Sequence, residues 1–280
     1  MAQQIEEIKK KKKWSIYLIL IIAIVITNFP LIWIFLTGFK PSDQIISTTP
    51  VWFFTPTVEH YLSLFQSTGD FNFPLYLTNS LIITVTTTIL SIIIAYPAAY
   101  SIARYKTGGG NYSFWILSIR MLPPIVFLVP ISILFRIYGL TDTVMGIIVV
   151  YLTFNIPFAT WIMKSFIEDI PVDLENAAYL DGYTQFQVMS KIVVPLTRSA
   201  IVAVAIICFI FSWNEFLYAL MLSFTNATTL TVGTASFVTG YGIQWGKIAA
   251  AATVAIIPTL TVGFIGQKYL VRGLTMGAVK

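Results

Sequence analysis

The chain has 280 residues, of which 57% are hydrophobic and only 10% charged, and its mean hydropathy is +0.81. A soluble domain carries about 25% charged residues, so this composition excludes one and leaves a polytopic membrane protein. The lone Cys208 and lone His60 supply no disulfide framework and no ligand set for a metal or imidazole-based catalytic centre, and membrane placement accounts for the net charge of +5 without nucleic acid.

In chain order, Glu6-Glu7 and the basic run Lys9–Lys13 precede an apolar stretch, Trp14–Phe39. A cleavable signal has an apolar core of only about 7–15 residues and a small-residue cleavage site. This stretch is longer and no Ala-x-Ala follows, so it reads as a retained first transmembrane helix, with Lys9–Lys13 setting topology and touching anionic lipid. A loop, Lys40–Pro74, leads to a second apolar stretch, Leu75–Ile102, in which Asn79, Ser80 and Thr84–Thr88 are suited to helix association. The turn Tyr105–Asn111, with Gly108-Gly109-Gly110, reads as a flexible hinge.

Four more stretches follow: Ser113–Ile133, Val144–Ile162, Ser199–Leu222 and Ile248–Ile265. Each of the six approaches the roughly 20 residues that cross a bilayer as a helix. Pro30, Pro97, Pro123, Pro124, Pro130, Pro157 and Pro258 lie within or beside them and predict kinks or local breaks. The fold expected is therefore all-α: a basic N-terminus over 1–13, a first helix and external loop over 14–74, a core of five further helices over 75–270, and a tail over 271–280. No internal repeat argues for the inverted halves of a secondary transporter.

With the N-terminus inside, the cytoplasmic side holds Lys9–Lys13, Arg104, Lys106, Lys164, Lys191, Arg198, Lys268, Arg272 and Lys280, 13 basic residues in all. The outer side holds 3: Lys40, Arg136 and Lys247. The positive-inside rule then gives both termini in the cytoplasm. The loop Ser223–Gly246 falls outside; it is uncharged and rich in Thr and Gly, and either dips back toward the membrane or offers a neutral surface to an external partner.

Between the fourth and fifth stretches lies a polar island, Glu168–Arg198, which holds five of the twelve acidic residues. Pro171 suits a first helical turn, with Asp173 and Glu175 near the positive end of the dipole. Leu174, Ala177, Ala178 and Asp181 recur at i, i+3, i+4 and i+7, giving a narrow face that another backbone can approach, and Gly182 can then turn the chain with positive φ. A second helix, Thr184–Val194, is expected to stop before Pro195. Such a helix-turn-helix suits docking in a partner's groove, or serves as an ordinary interfacial connector.

Two charges fall at membrane depth. Arg120, just before Pro123-Pro124, either lines a pathway or subunit interface or snorkels to the inner headgroups. Glu215 sits beside Trp213 and Asn214, a trio able to stack on and hydrogen-bond a sugar; a structural hydrogen bond near the outer end of the helix is equally open. Phe127, Phe135, Phe209 and Phe211 read as lipid-facing or packing residues. No Gly-x-x-x-x-Gly-Lys-Ser/Thr phosphate loop is present.

The island resembles the EAA loop of binding-protein-dependent ABC importers, whose pattern is Glu-Ala-Ala, two variable residues, Asp-Gly, about nine residues and Ile-x-Leu-Pro. Ala177, Ala178, Asp181, Gly182, Ile192 and Pro195 match; Asn176 occupies the Glu position with Glu175 beside it, and Val194 stands for Leu. Pro97-Ala98-Ala99-Tyr100, Arg120-Met121-Leu122-Pro123-Pro124, Trp213-Asn214-Glu215-Phe216 and the tail Gly273–Lys280 resemble the carbohydrate branch, specifically the shorter, MalG-like subunit of maltose/trehalose-type importers. The resemblance implies a type I importer permease fold of six helices in a prokaryotic inner membrane. It also implies a MalF-like second permease, an ATPase pair that binds ATP and Mg, and an extracytoplasmic sugar-binding protein. This chain would then hold no cofactor and catalyse nothing. Its ATPase-coupling residues would be Glu175, Asn176, Ala177, Ala178, Asp181, Gly182 and Pro195, with Gly273, Leu274, Thr275 and Gly277 of the tail reaching the ATPase pair. Because Asn176 lacks the charge of the usual Glu, shape and hydrogen bonding at Ala177, Ala178 and Gly182 are expected to carry that contact. Arg120, Pro123, Pro124, Trp213, Asn214 and Glu215 remain pathway or interface candidates. Rival readings are the same machine carrying glycerol phosphate, a polyol or a monosaccharide, or an ion-coupled secondary transporter.

Overall fold

A computed structural model describes residues 2–66, 71–240 and 242–276, with side chains described for 14, 16–66, 71–240 and 242–267. The helices in chain order are α1 (Ala2–Gly38), α2 (Ser42–Ile45), α3 (Glu59–Phe65), α4 (Phe73–Tyr105), α5 (Tyr112–Met121), α6 (Pro124–Ile137), α7 (Val144–Glu168), α8 (Val172–Leu180) and α9 (Gln185–Val188). A π-helical turn, Met189–Val193, follows, then α10 (Val194–Leu196), α11 (Arg198–Trp213), α12 (Leu217–Leu222) and α13 (Leu230–Ala235). Two short antiparallel strands, β1 (Val238–Thr239) and β2 (Gly242–Ile243), precede α14 (Trp245–Met276).

Four helical segments are long and apolar enough to cross a membrane: Ile16–Gly38, Phe73–Tyr105, Val144–Glu168 and Trp245–Gln267. They correspond to the first, second, fourth and sixth stretches expected from sequence. The third and fifth differ. Ser113–Ile133 is broken into α5 and α6, bent by 87°. The cause is local. Pro123 forces the residue before it out of the helical region, and Leu122 is extended at φ −73, ψ 135. Pro124 then opens α6 at a position where a missing N–H costs nothing. The fifth stretch ends at Trp213 instead of Leu222, and its start is bent by 78° from the helical run Gln185–Leu196.

The second island helix also runs past its expected stop. Pro195 lies at the start of α10, and the preceding turn widens so that Val194 N–H reaches Met189 O. That π-type turn carries the chain through a residue with no donor of its own, and the bend falls at Thr197.

The chain divides into two compact units, residues 1–66 with 237–254, and 67–236 with 255–280. In the second, α4 packs along α7, with α11 against both. Small residues set this approach: Ala95, Ala99, Ala159 and Cys208 are fully buried, packed with Tyr96, Tyr100, Met163, Ile167 and Val204. Asn79 and Ser80 are buried too, but they tie α4 to a loop: Asn79 Nδ2 donates to Asn226 O and Thr228 O, and the Leu230 N–H donates to Ser80 Oγ.

In the first unit, His60 is buried and its Nε2 lies 2.9 Å from Lys40 O. Lys40 Nζ lies 4.1 Å from the centroid of the Trp33 ring, a cation–π contact that offsets burial of the ammonium. The apolar window of α1 buries none of its residues.

Candidate functional site

The island is built outward from α4. Glu175, in the first turn of α8, is 2% exposed and points into its own chain. Arg104, in the last turn of α4, donates Nε–H to Glu175 Oε1 at 2.5 Å and Nη2–H to Ile170 O at 3.0 Å. The Tyr100 hydroxyl donates to Glu175 Oε2 at 2.7 Å. A carboxylate taken out of water is tolerated here because both oxygens have donors and one donor is a full cation. Ala178, one turn on, is buried in the same core as Ala99, Tyr100 and Val188.

This divides the face expected from sequence. Glu175 and Ala178 face inward, while Leu174, Asn176, Ala177 and Asp181 are exposed. The charge absent at Asn176 is present one residue earlier, spent on anchoring the helix. Pro171 is the residue preceding α8 and not part of its first turn.

Beyond α8 the chain turns through Gly182, at φ +84. Tyr183 N–H donates to Ala178 O and Gly182 N–H to Tyr179 O, both at 3.0 Å, the paired 6→1 and 5→2 bonds of a Schellman C-cap. Thr184 then opens α9 with a capping box: its N–H donates to Gln187 Oε1 at 2.8 Å, and the Gln187 N–H donates to Thr184 Oγ1 at 3.4 Å. The turn between α8 and α9 is thereby held at both adjoining helix ends, and several large apolar side chains are exposed along the hairpin. Leu180 is 90% exposed and Phe186 71%, with Val172 and Leu174 about half exposed.

A second cluster lies deeper in the same unit. The Arg120 guanidinium sits 3.9 Å from the centroid of the Phe211 ring and 4.7 Å from that of Phe158. It borders a cavity of about 370 Å³ lined also by Phe127, Thr153, Phe154, Glu215 and Tyr218. Phe127 and Phe211, read from sequence as lipid-facing or packing residues, thus both border this cavity, and Phe154, Thr153 and Tyr218 were not singled out at all. Pro124 borders it as well; Pro123 sets the bend beside it.

Trp213 and Asn214 do not share the wall with Glu215. Trp213 is buried, stacks on Phe209 and donates Nε1–H to Ala255 O at 3.0 Å, while Asn214 Nδ2 donates to Ile210 O within its own helix. Glu215 caps α12: its oxygens accept from Tyr218 N at 2.9 Å and Ala219 N at 3.2 Å. The break after Trp213 is explained by that capping, since a carboxylate at a helix N-terminus satisfies orphan amides and complements the dipole.

A third polar knot holds the loop after α12. Asp142, at φ +55, accepts backbone N–H bonds from Phe224, Thr225, Asn226 and Ala227, and side-chain bonds from Thr225 Oγ1 and Asn226 Nδ2 at 2.9 Å. Burial alone would raise its pKa; the four backbone donors outweigh burial and hold it well below the usual carboxylate range. Of the expected tail contacts, Gly273, Leu274 and Thr275 fall within α14, and Gly277 lies outside the described residues.

Residues 91–276 match the family described as binding-protein-dependent transport system inner membrane component. The chain belongs to this family. Among relatives of the permease, a probable ABC transporter permease protein of Sinorhizobium fredii is 37% identical over 271 residues, covering 97% of this chain and 96% of that one. The trehalose transport system permease protein SugB of Mycobacterium tuberculosis is 37% identical, covering 90% and 92%. Among solved structures, a subunit of a bacterial ABC transporter that imports the acidic polysaccharide alginate superposes with a TM-score of 0.74 at 23% identity, covering 90% of the permease and 94% of that chain. The family match spans the island, the cavity and the Asp142 knot together, and it makes the permease an inner membrane component of a transport system.

Proposed function

We propose that this permease is one of two membrane subunits of an ATP-driven sugar importer, and that the outer edge of α8–α9 is where the ATPase docks. The observation that carries this is the division of labour on the hairpin: α8 is locked to α4 through Glu175 and Arg104, while Leu180 of α8 and Phe186 of α9 are exposed on either side of a capped turn. A partner that moves this hairpin therefore moves α4 with it. The 37% identity to a trehalose permease supports a di- or oligosaccharide as cargo.

In this reading the chain crosses the membrane six times, each bent pair counting as one span, with both termini in the cytoplasm as the basic residues direct. The uncovered length of α1 would pack against lipid and a MalF-like second permease. ATP and Mg belong to the ATPase pair, an external sugar-binding protein delivers cargo to the outer side, and the tail around Gly273, Leu274, Thr275 and Gly277 reaches toward the ATPases. ATP binding closes the ATPase pair, the hairpin follows, and the two permeases rock from inward- to outward-facing; the hairpin must therefore contact the ATPases differently in the two states.

Burying a leucine side chain contributes about 1.5–3 kcal/mol, and forcing a carboxylate into the same groove costs more. Leu180→Asp should therefore release the ATPase during purification of the complex and abolish uptake, while the permease still inserts. Full recovery of the ATPase with this variant would refute docking at this edge.

A further inference from the structure

The Arg120 cavity holds a cation whose hydrogen bonds are unmade. No hydrogen bond or ion pair engages Arg120 among the described residues, and its Nη1 is buried without an acceptor. The guanidinium carbon lies over the Phe211 and Phe158 rings, 3.9 and 4.7 Å from their centroids, cation–π contacts that leave the hydrogen-bonding capacity of its N–H groups unused. A guanidinium inside a membrane segment needs acceptors, and none of these rings supplies one. Across the same cavity Glu215 adds a negative charge, and the Thr153 hydroxyl, which donates to Val150 O at 2.6 Å, keeps its lone pairs free. The remaining walls are apolar, part aliphatic and part aromatic, with Phe127, Phe154 and Tyr218 among them.

We propose that this cavity is a sugar-binding subsite on the translocation pathway and that it takes a neutral sugar ring. The assignment rests on the importer reading above. The lining carries one positive and one negative charge, so it offers donors and acceptors together with no net charge. A neutral sugar matches that pattern: its hydroxyls accept from Arg120 and donate toward Glu215 and Thr153, and its C–H faces lie on aromatic rings. An anionic sugar would satisfy Arg120 but would meet the Glu215 carboxylate in the same space. The volume, about 370 Å³, is at the small end of ligand pockets, which suits one or two rings at a time as a chain of sugars passes. Arg120 is then the donor, Phe127 and Phe154 are stacking surfaces, and Glu215 serves both as the cap of α12 and as the counter-charge.

The test uses the complete complex, with its second permease, ATPases and binding protein, reconstituted in liposomes. Radiolabelled trehalose, maltose and an oligouronate serve as cargo. Sugar carried per ATP hydrolysed, for each assembled complex, is the readout. For trehalose or maltose, Arg120→Met should lower that ratio by about 10- to 100-fold, as expected for losing hydrogen bonds from a charged donor. Arg120→Lys should recover part of the loss, and Phe127→Ala should lower the ratio by about 3- to 10-fold through lost stacking. An unchanged ratio for both Arg120→Met and Phe127→Ala overturns the subsite. If Arg120→Met fails to assemble, Phe127→Ala decides by the same criterion. A wild-type complex that carries only the oligouronate overturns the neutral-sugar assignment while the importer reading stands. A wild-type complex that carries none of the sugars overturns both.

Discussion

Removing the Glu175 carboxylate probes the joint between the proposed docking edge and α4. Its side chain is 3% exposed and that of Arg104 9%, so neither can turn to water without opening the contact. Glu175→Ala leaves Arg104 Nε and the Tyr100 hydroxyl without their acceptor at once. Removing one partner of a buried pair costs about 3–5 kcal/mol, because the remaining charge stays desolvated. At about 1.4 kcal/mol per tenfold, amides of α8 should exchange with solvent faster by roughly two to four powers of ten, while those of mid-α7 hardly change. The measurement is hydrogen exchange read by mass spectrometry on the assembled complex. A double-mutant cycle sharpens it: in Glu175→Met with Arg104→Met no charge is stranded, so the pair should be less harmful than the sum of the singles. Additive effects, or unchanged α8 protection in Glu175→Ala, would show that the ion pair does not hold the hairpin and would remove the route by which docking moves α4.

Two further outcomes follow from backbone geometry and charge. Gly182 has no atom within 4 Å of where a Cβ would stand, so Gly182→Ala should cost only the left-handed backbone penalty, about 1–2 kcal/mol, and reduce uptake partially; Gly182→Asp, which adds a charge beside the docking edge, should abolish uptake with insertion intact. Asp142→Asn should loosen residues 224–227, with about 10- to 100-fold faster exchange, since hydrogen bonds to a charged acceptor are worth about 1.5–3 kcal/mol. The native carboxyl binds its proton less readily than in the unfolded chain, so its contribution is complete above the ordinary Asp pKa of about 3.9 and is lost only as pH falls toward the depressed folded value. Protection of this loop in the wild type should therefore stay level from pH 8 to about pH 5; a loss within that range would contradict the knot.

Where the sequence alone succeeded and failed follows from how far apart the deciding residues lie. The four spans it placed correctly are continuous apolar runs, for which length and composition suffice. The third and fifth stretches are interrupted where the sequence read a continuous run. In the third, the proline pair announced an interruption but not its size, since the bend depends on Leu122 going extended. In the fifth no proline is present; the polar trio 213–215 is the trace, open from sequence to sugar contact or to a structural hydrogen bond, and the structure shows Trp213 and Asn214 bonded to helix carbonyls and Glu215 capping the next helix.

The island shows the same limit more sharply. Helical periodicity set Ala177 and Ala178 on one face, yet on a helix consecutive residues lie 100° apart, and the boundary between inside and outside passes between them. What fixes that boundary is Glu175 meeting Arg104, 71 residues earlier in the chain, a pairing that no local pattern encodes. Once Glu175 is turned inward, Asn176, Ala177 and Leu180 face out, alongside the exposed Asp181. The missing Glu at Asn176 then weakens no internal joint, because the charge that binds the hairpin to the membrane helices sits one residue away, on the other side of α8.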